Sequence, residues 1–297
     1  MNKLGLHGNV WAAGWSHDEC ARAIGNTAEL GFDLVEAPAL DPSLIDVAFT
    51  AKQLEKAGIG ITFSLGLDAE TDLSSGDPEK IRRGEARLGD VVSMTRDLGG
   101  THICGIIYSA FQKYMVPATK EGIAGSVDAL RRVAEKAAAS DIVLGLEVVN
   151  RYETNVLNTA AQGVDMCKRI GAPNVKVHLD VYHMNIEEAD MEAAIIDTGD
   201  YIGYFHTGDS NRGYMGTGSI DLPRVFKALV RSGYQGPITF ESFSSAVVGQ
   251  PLEGILGIWR NLWEDGYDLA RHAKMYTESQ LKSAHEAHNC GRKGLPF

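Results

Sequence analysis

Four apolar segments in the second half of the chain each end in a side chain that can do chemistry. The residues at these ends are Glu147, Asp180, His206 and Glu241. They are separated by 33, 26 and 35 residues, and each separation is about the length of one strand–helix unit. If the segments are neighbouring parallel strands, the four side chains converge at one end of the sheet.

Three carboxylates and one imidazole at one place form a ligand set for a divalent cation. Crowded carboxylates repel one another, and each is driven toward its neutral form unless a cation neutralises the site. An oxygen-rich set suits Mn²⁺, our first expectation, or Mg²⁺ and Co²⁺, whereas zinc more often recruits further His or Cys ligands. We therefore predict one divalent metal ion per subunit at these residues.

Helix capping is the alternative explanation for each of the four residues taken singly. An acidic residue at the end of a strand commonly caps the following helix or accepts hydrogen bonds from a loop. Four consecutive strands that all end in this way are hard to explain by capping alone. Metal binding is therefore the interpretation that accounts for the whole set.

A second set of polar residues follows the same strand ends. These residues are Glu153, His183 and Arg212, each within six residues of one of the ends. Together they can hold hydroxyl groups and a developing oxyanion above the metal. Each one could also be a solvated loop residue, and that alternative is strongest for Glu153.

Two other polar residues have less certain roles. His178 lies two residues before Asp180 on the same strand, and a hydrogen-bonded structural histidine is the simpler interpretation there. Glu36 ends an earlier apolar run, and its role stays open between a loop anchor and a contact to the metal ligands.

Eight short apolar runs alternate with helical patterns along the chain. The runs lie at about 3–8, 33–37, 59–64, 101–107, 142–147, 175–180, 201–206 and 237–241. The helix starts are indicated by Ser16, Asp77 with Pro78, Asn158, and Asp221 with Pro223, and the helix ends by Gly31, Gly171 and Gly233. A last helical stretch is expected at roughly 250–276.

This alternation predicts an α/β fold, a single (β/α)8 TIM barrel with a C-terminal extension. The strands lack clean polar–apolar alternation, as expected when helices or the barrel interior cover both faces. A closed barrel also leaves no sheet edge and places catalytic groups at the carboxyl ends of its strands. A doubly wound open sheet is the alternative, but the sequence has no G-x-G-x-x-G or Walker-type loop to support nucleotide binding.

We expect no domain boundary within residues 1–276, which form the catalytic barrel. Residues 277–297 are surplus to a barrel of ordinary length. They are either a frayed end or an extra helix that docks on a neighbouring subunit of a homo-oligomer, a dimer or a tetramer.

Composition and charge narrow the classes of protein further. The 297 residues carry 28 Lys and Arg against 39 Asp and Glu, a net charge of −11 without a basic cluster, which argues against nucleic acid as a partner. No apolar run approaches the roughly 18 residues of a membrane span, and the N-terminus lacks a signal-peptide core. The four cysteines are scattered, so we expect a cytoplasmic protein without disulfides.

Four motifs in the order of the chain resemble those of the ketose 3-epimerases. They are LEVVNRYE at 146–153, HLDVYHMNIEE at 178–188, FHTGDSNRG at 205–213 and ITFESF at 238–243. This family, within the xylose-isomerase-like barrels, includes D-tagatose, D-psicose (D-allulose) and L-ribulose 3-epimerases. The resemblance spans the whole barrel, and the sequence is most similar to the L-ribulose 3-epimerase group.

The resemblance implies a role for each matching residue. The family's metal ligands match Glu147, Asp180, His206 and Glu241, and its acid/base pair matches Glu147 and Glu241. Its substrate-holding residues match Glu153, His183 and Arg212. The implied activity is a metal-dependent isomerase that epimerises free ketoses at C3, such as L-ribulose/L-xylulose, D-psicose/D-fructose or D-tagatose/D-sorbose. The distal end of the sugar is expected to meet some of Trp11, Trp15, Tyr108 and Phe111, although each could equally be core.

Epimerisation at C3 places two demands on such a site. The C3 proton lies next to a carbonyl and is very weakly acidic, so a cation near O2 and O3 is needed to polarise the carbonyl and take up the charge of the cis-enediolate. The proton must then return to the opposite face, which requires one glutamate as carboxylate and the other carrying a proton. Strands five and eight lie on different sides of the ring, so Glu147 and Glu241 can meet these requirements.

Five other functions are weighed against this one. An aldose–ketose isomerase or an inosose dehydratase would use a similar metal and enediol chemistry. A sugar-phosphate epimerase could use the glycine-rich stretch after strand seven to hold a phosphate. A metal-dependent DNA-repair nuclease would need extra histidines at runs three and four, and a non-catalytic sugar-binding module would not need two metal-bound glutamates.

Overall fold

The computed structural model describes residues 2–293, with side chains described through residue 290. The strands found in this part of the chain are β1 (Leu4–His7), β2 (Leu34–Pro38), β3 (Gly60–Leu67), β4 (His102–Ala110), β5 (Val143–Glu147), β6 (Val175–Asp180), β7 (Ile202–Thr207) and β8 (Ile238–Phe240). Each strand pairs in parallel with the next, and β8 pairs with β1 to close the barrel. The predicted (β/α)8 barrel is thereby confirmed.

Helices surround the barrel in the same order. Within residues 2–293 they are α1 (His17–Glu29), α2 (Val47–Ala57), α3 (Pro78–Asp97), α4 (Lys120–Ala138), α5 (Ala160–Ile170), α6 (Val181–Glu187), α7 (Met191–Thr198), α8 (Leu222–Arg231), α9 (Leu252–Leu256) and α10 (Gly266–Lys293). Three-residue turns of 3-10 helix lie at Gly8–Val10, Pro42–Leu44 and Gly199–Tyr201. Because the helices connect strands that all run parallel, the carboxyl ends of the strands lie at the same rim of the barrel.

Helix capping follows the sequence signals with one shift. Ser16 and Glu19 form a reciprocal capping box at α1, and Asp77 with Pro78 opens α3. The start expected at Asn158 lies one residue later, because the Thr159 side chain accepts from the Gln162 backbone N–H and completes a capping box for α5. A sequence rule that reads single capping residues does not distinguish two neighbouring candidates.

The barrel interior is filled by large side chains below the rim. Tyr204 is fully buried, and its hydroxyl hydrogen-bonds Thr62 Oγ1 at 2.8 Å and Thr239 Oγ1 at 2.7 Å. Gly105 adopts a φ of +109°, and a Cβ there would overlap the Leu65 carbonyl oxygen. Only glycine fits at this close approach of β3 and β4.

The C-terminal part of the chain differs from the expected single stretch at 250–276. The short helix α9 ends at Gly257, which has a left-handed conformation, and α10 begins only at Gly266. Helix α10 then continues without a break past Tyr276, buries Leu281 and Ala284, and packs along α8. The predicted limit at residue 276 thus falls inside one helix, while residues 294–297 lie outside the described part of the chain.

Among the residues that the structure describes, no helix is both long and apolar enough to cross a membrane.

Candidate metal and active site

The carboxyl ends of β5 to β8 bring the four predicted ligands together. Glu147 and Asp180 are the last residues of β5 and β6, His206 lies in β7, and Glu241 follows β8. The Nδ1 atom of His206 lies 3.4 Å from Asp180 Oδ2, 3.5 Å from Glu241 Oε1 and 3.8 Å from Glu147 Oε1. All four side chains are buried. The expected convergence is therefore present.

The arrangement of donor atoms fits a metal ion. His206 Nδ1 is buried and has no hydrogen-bond partner among the described residues. Ligand atoms of Asp180, His206 and Glu241 lie within 4.8 Å of one another, and so do those of Glu147, Asp180 and His183. An unpaired buried nitrogen that faces three carboxylates is costly in an apo protein, and a divalent cation would satisfy it.

Glu36 fixes the orientation of His206. The carboxylate accepts from His206 Nε2 at 2.9 and 3.1 Å and is completely buried. Since Nε2 carries the proton, the lone pair of Nδ1 faces the other three ligands, as in metal sites where a carboxylate orients a ligating histidine. Of the two roles left open for Glu36, the structure shows a contact to His206, one of the predicted ligands.

Burial and repulsion between the crowded carboxylates shift the pKa values of the cluster. Burial raises the pKa of Glu147 well above its usual range, and the charges of Glu241 and Asp180 add to this effect. Burial opposes protonation of His206, but the neighbouring Glu36 and Glu241 outweigh it and raise the pKa of the imidazole. Both shifts reduce the net negative charge of the cluster, so the site favours added positive charge, which a bound cation can supply.

Asp180 shows that capping and ligand positions are compatible. Its Oδ1 accepts from the backbone N–H groups of Tyr182 at 2.6 Å and His183 at 3.2 Å, which caps α6. Its Oδ2 faces His206. The cap holds the carboxylate in place and leaves one oxygen for the cluster.

The second predicted set lies beside the first. Asn150 donates to His183 Nδ1 from its backbone at 3.2 Å and from its side chain at 2.9 Å, so Nε2 of His183 carries the proton. This Nε2 lies 3.8 Å from Glu147 Oε1 and 3.9 Å from Glu153 Oε2. His183 therefore offers a donor next to the ligand cluster, with Glu153 as a neighbouring acceptor.

Arg212 reaches the cluster from the loop after β7. Its guanidinium lies 4.0 Å from the ring centroid of Tyr182 and 5.0 Å from that of Phe243. Its Nη1 donates to Glu241 Oε2, and its Nη2 lies 3.3 Å from His183 Nε2. The Arg212 side chain is buried. All three residues of the second set, Glu153, His183 and Arg212, line the same cleft.

The cleft above the cluster has both polar and apolar lining residues. The space in it that protein atoms leave free, including the part open to solvent, is about 540 Å³. Besides the polar residues described above, the lining includes Leu40, Ile106, Phe111, Leu252 and Leu256. A small ligand can thus meet hydrogen-bonding groups and apolar surface in the same cleft.

Of the four aromatic residues considered as walls, Phe111 lines the cleft. Trp11 and Trp15 are buried in the core, where their indole N–H groups donate to Thr27 and Thr50. Tyr108 is fully buried and donates to the Glu147 carbonyl oxygen at 2.7 Å, so it supports the backbone of this predicted metal ligand.

Sequence reasoning missed His7, Asn150 and the outcome for His178. His7 ends β1 and lines the cleft, with Nε2 3.1 Å from Ser64 Oγ and 3.7 Å from Glu241 Oε1. A polar residue at the end of an apolar run was the available signal, the same one that identified His206. His178 was expected to be hydrogen-bonded, but neither ring nitrogen has a partner among the described residues, and its ring packs edge-on against His206.

Buried carboxylates and an imidazole at the carboxyl ends of barrel strands define a (β/α)8-barrel enzyme. Comparisons with known proteins identify the family of barrel enzymes to which the chain belongs. Residues 24–271 match the xylose isomerase-like TIM barrel family. The chain is 48% identical to the ketose 3-epimerase of Arthrobacter globiformis, over 94% of this chain and 96% of that protein.

Two further similar proteins are also sugar 3-epimerases. The L-ribulose 3-epimerase of Mesorhizobium japonicum is 43% identical over 96% of each chain. The crystal structure of D-allulose 3-epimerase from Methylomonas sp., in complex with D-allulose, has a TM-score of 0.92 and 44% identity, covering 94% of this chain and 97% of that one. The chain belongs to the ketose 3-epimerase family, whose members are carbohydrate epimerases of the isomerase class.

Proposed function

We propose that the protein is a metal-dependent epimerase that interconverts free ketoses at C3, with L-ribulose as the first substrate to test. The observation that carries the proposal is the pair of buried glutamates, Glu147 and Glu241, that flank the same His206 nitrogen. The names of the relatives, which include L-ribulose and D-psicose 3-epimerases, support the choice of substrate class.

Four residues would hold the metal ion, for which Mn²⁺ is our first choice. They are Glu147, Asp180, His206 and Glu241, and their oxygen-rich set suits Mn²⁺, Co²⁺ or Mg²⁺. When bound there, the ion would polarise the ketose carbonyl and stabilise negative charge on its oxygens.

The remaining polar residues of the cleft would bind and orient the sugar. The N–H at His183 Nε2 and the guanidinium of Arg212 would donate to oxygens at the carbonyl end, and Glu153 would accept from a hydroxyl group. The apolar wall at Ile106 and Phe111 would exclude water from the distal carbons.

The two glutamates would move the proton. One of them, as carboxylate, takes the proton from C3, and the other, as carboxylic acid, returns a proton to the opposite face. Glu147 ends β5 and Glu241 follows β8, and this separation around the barrel supports approach to the sugar from different sides. The handedness of the substrate at C3 decides which glutamate acts as the base.

A panel of ketoses in D₂O tests this function. The protein is treated with chelator, reloaded with Mn²⁺, and incubated with L-ribulose, D-psicose and D-tagatose and with a ketose phosphate. We expect a C3 epimer from a free ketose, with deuterium at C3, and no turnover before reloading. An aldose product, an unlabelled product, or turnover of the phosphate alone would contradict the proposal.

Two properties of the whole protein complete the proposal. Exposed apolar side chains at Met115, Val116 and Trp259 support self-association as a dimer or a tetramer. Free thiols at Cys20, Cys104, Cys167 and Cys290 support a reducing compartment such as the cytoplasm.

A further inference from the structure

The loop that carries Arg212 contains a buried acid that the proposed mechanism does not use. Asp209 lies three residues after His206 and is completely buried. Its Oδ1 accepts from the backbone N–H of Ser210 at 2.7 Å, and its Oδ2 accepts from that of Gly216 at 2.7 Å. One carboxylate therefore ties the start of the loop to its return.

The backbone of Asp209 also contacts the backbone of Arg212. The Arg212 N–H donates to the Asp209 carbonyl oxygen at 2.9 Å, and Arg212 has a left-handed conformation with φ of 53°. This conformation is unfavourable for a non-glycine residue, so the surrounding contacts must impose it. On the other side, Ser242 Oγ donates to the Arg212 carbonyl oxygen and is itself held by Trp263 Nε1 at 2.7 Å.

The carboxylate is closely packed against the returning part of the loop. A Cβ at Gly218 would overlap Asp209 Oδ1, so a side chain there would require the carboxylate to move. Helix α10 supports the same loop from outside, because His272 Nε2 hydrogen-bonds the Met215 carbonyl oxygen at 2.9 Å and Tyr276 lies against Gly216. The loop is therefore held at both ends and from its outer face.

We propose that Asp209 is a positioning residue for Arg212: its carboxylate fixes the loop conformation that directs the guanidinium into the cleft. The proposal rests on the proposed function, in which Arg212 binds the ketose. Asn at position 209 keeps the shape but replaces one acceptor oxygen with an N–H₂ group facing a backbone N–H. The guanidinium should then lose its fixed position while the metal ligands keep theirs.

The test is a double-mutant cycle in the full-length protein with L-ribulose as substrate and deuterium incorporation as a sensitive assay. We expect D209N to raise KM on the order of tenfold, the size of one lost hydrogen bond to a charged group, with a smaller change in kcat. In an R212A background the same change should alter kcat/KM less than about twofold. The Kd for Mn²⁺ should not change in D209N.

Two further variants complete the experiment. D221N makes the same chemical change at the cap of α8, where Asn serves equally well, and should behave as wild type. G218A displaces the Asp209 carboxylate without changing its charge and should reproduce the rise in KM, so it decides the outcome independently of D209N.

Several results would overturn the assignment. A wild-type KM in D209N or G218A would do so, and so would an equal loss in the wild-type and R212A backgrounds. Global unfolding of D209N would show that the carboxylate supports the fold rather than Arg212. If the wild-type protein itself forms no C3 epimer, the proposed function fails instead, which keeps the two outcomes separate.

Discussion

At the scale of single residues, the central feature is a histidine whose two nitrogens face different partners. His206 Nε2 donates to Glu36, and its Nδ1 faces Asp180 and Glu241 at 3.4 and 3.5 Å. The orientation of the ring is therefore set before any metal binds. Glu36 and His206 lie 170 residues apart, and only closure of the barrel brings them together.

Glu36→Gln tests this orientation. Glutamine can still accept from Nε2 but removes the negative charge that polarises the imidazole, so we expect the Kd for Mn²⁺ to rise about tenfold or more. Metal titration of the chelated protein measures it, with Glu85→Gln, at a surface pair with Arg132, as the control. An unchanged Kd in Glu36→Gln would show that the contact is dispensable.

Glu147→Gln and Glu241→Gln test the proton transfer. Each change keeps the size of the side chain and removes its ability to exchange a proton, so we expect turnover to fall by about 10²–10⁴-fold, the usual contribution of an acid–base group. Circular dichroism should show a folded barrel. Near-wild-type activity in either variant would rule out the scheme with two glutamates.

The sequence revealed the residues whose position alone is unusual. Burying an acid at the end of an apolar strand is costly, and this made Glu147, Asp180 and Glu241 visible without a structure. Asn150 was not visible, since it acts by fixing the proton on His183. His7 carried the same strand-end signal as His206, but its contact with Glu241 depends on the pairing of β1 with β8. Such roles depend on contacts between distant segments.

At the scale of elements, strand positions were predicted closely and the C-terminal region was not. The strands are short and buried on both faces, so their apolar runs stand out. Helix α10 buries only one stripe, so its His, Lys and Gln residues resemble a polar tail. The cluster of Phe243, Val248 and Ile258 forms a small core of its own beside α9, which no periodic pattern announces.

Helix α10 is expected to stabilise the barrel itself. Leu281 is 8% exposed and lies in the second half of the helix, whereas Met275 on the same helix is 65% exposed. We expect Leu281→Ala to lower the free energy of unfolding by about 2–4 kcal/mol and Met275→Ala to change it by less than about 0.5 kcal/mol. Denaturant titration compares them. Equal effects would mean that the second half of α10 does not pack on the fold.

At the scale of the whole molecule, the single chain has a mass of 32.1 kDa and exposes several large apolar side chains at its loops. We expect light scattering to give at least twice this mass at micromolar concentration. Met115→Glu should lower the mass if the loop at Met115 and Val116 is part of the contact, whereas Lys52→Glu on α2 should not. A monomeric wild-type mass would contradict the proposed self-association.

The closed barrel brings four distant strand ends together, and we predict that they form one set of metal ligands, on which the other predictions depend. Titration of the chelated protein with Mn²⁺, followed by the electron paramagnetic resonance signal of the free ion, tests it most directly. We predict one bound ion per chain and, for Asp180→Asn, which retains a capping side chain for α6, a Kd raised by more than about 100-fold. Absence of saturable binding, or equal binding by wild type and Asp180→Asn, would contradict the account.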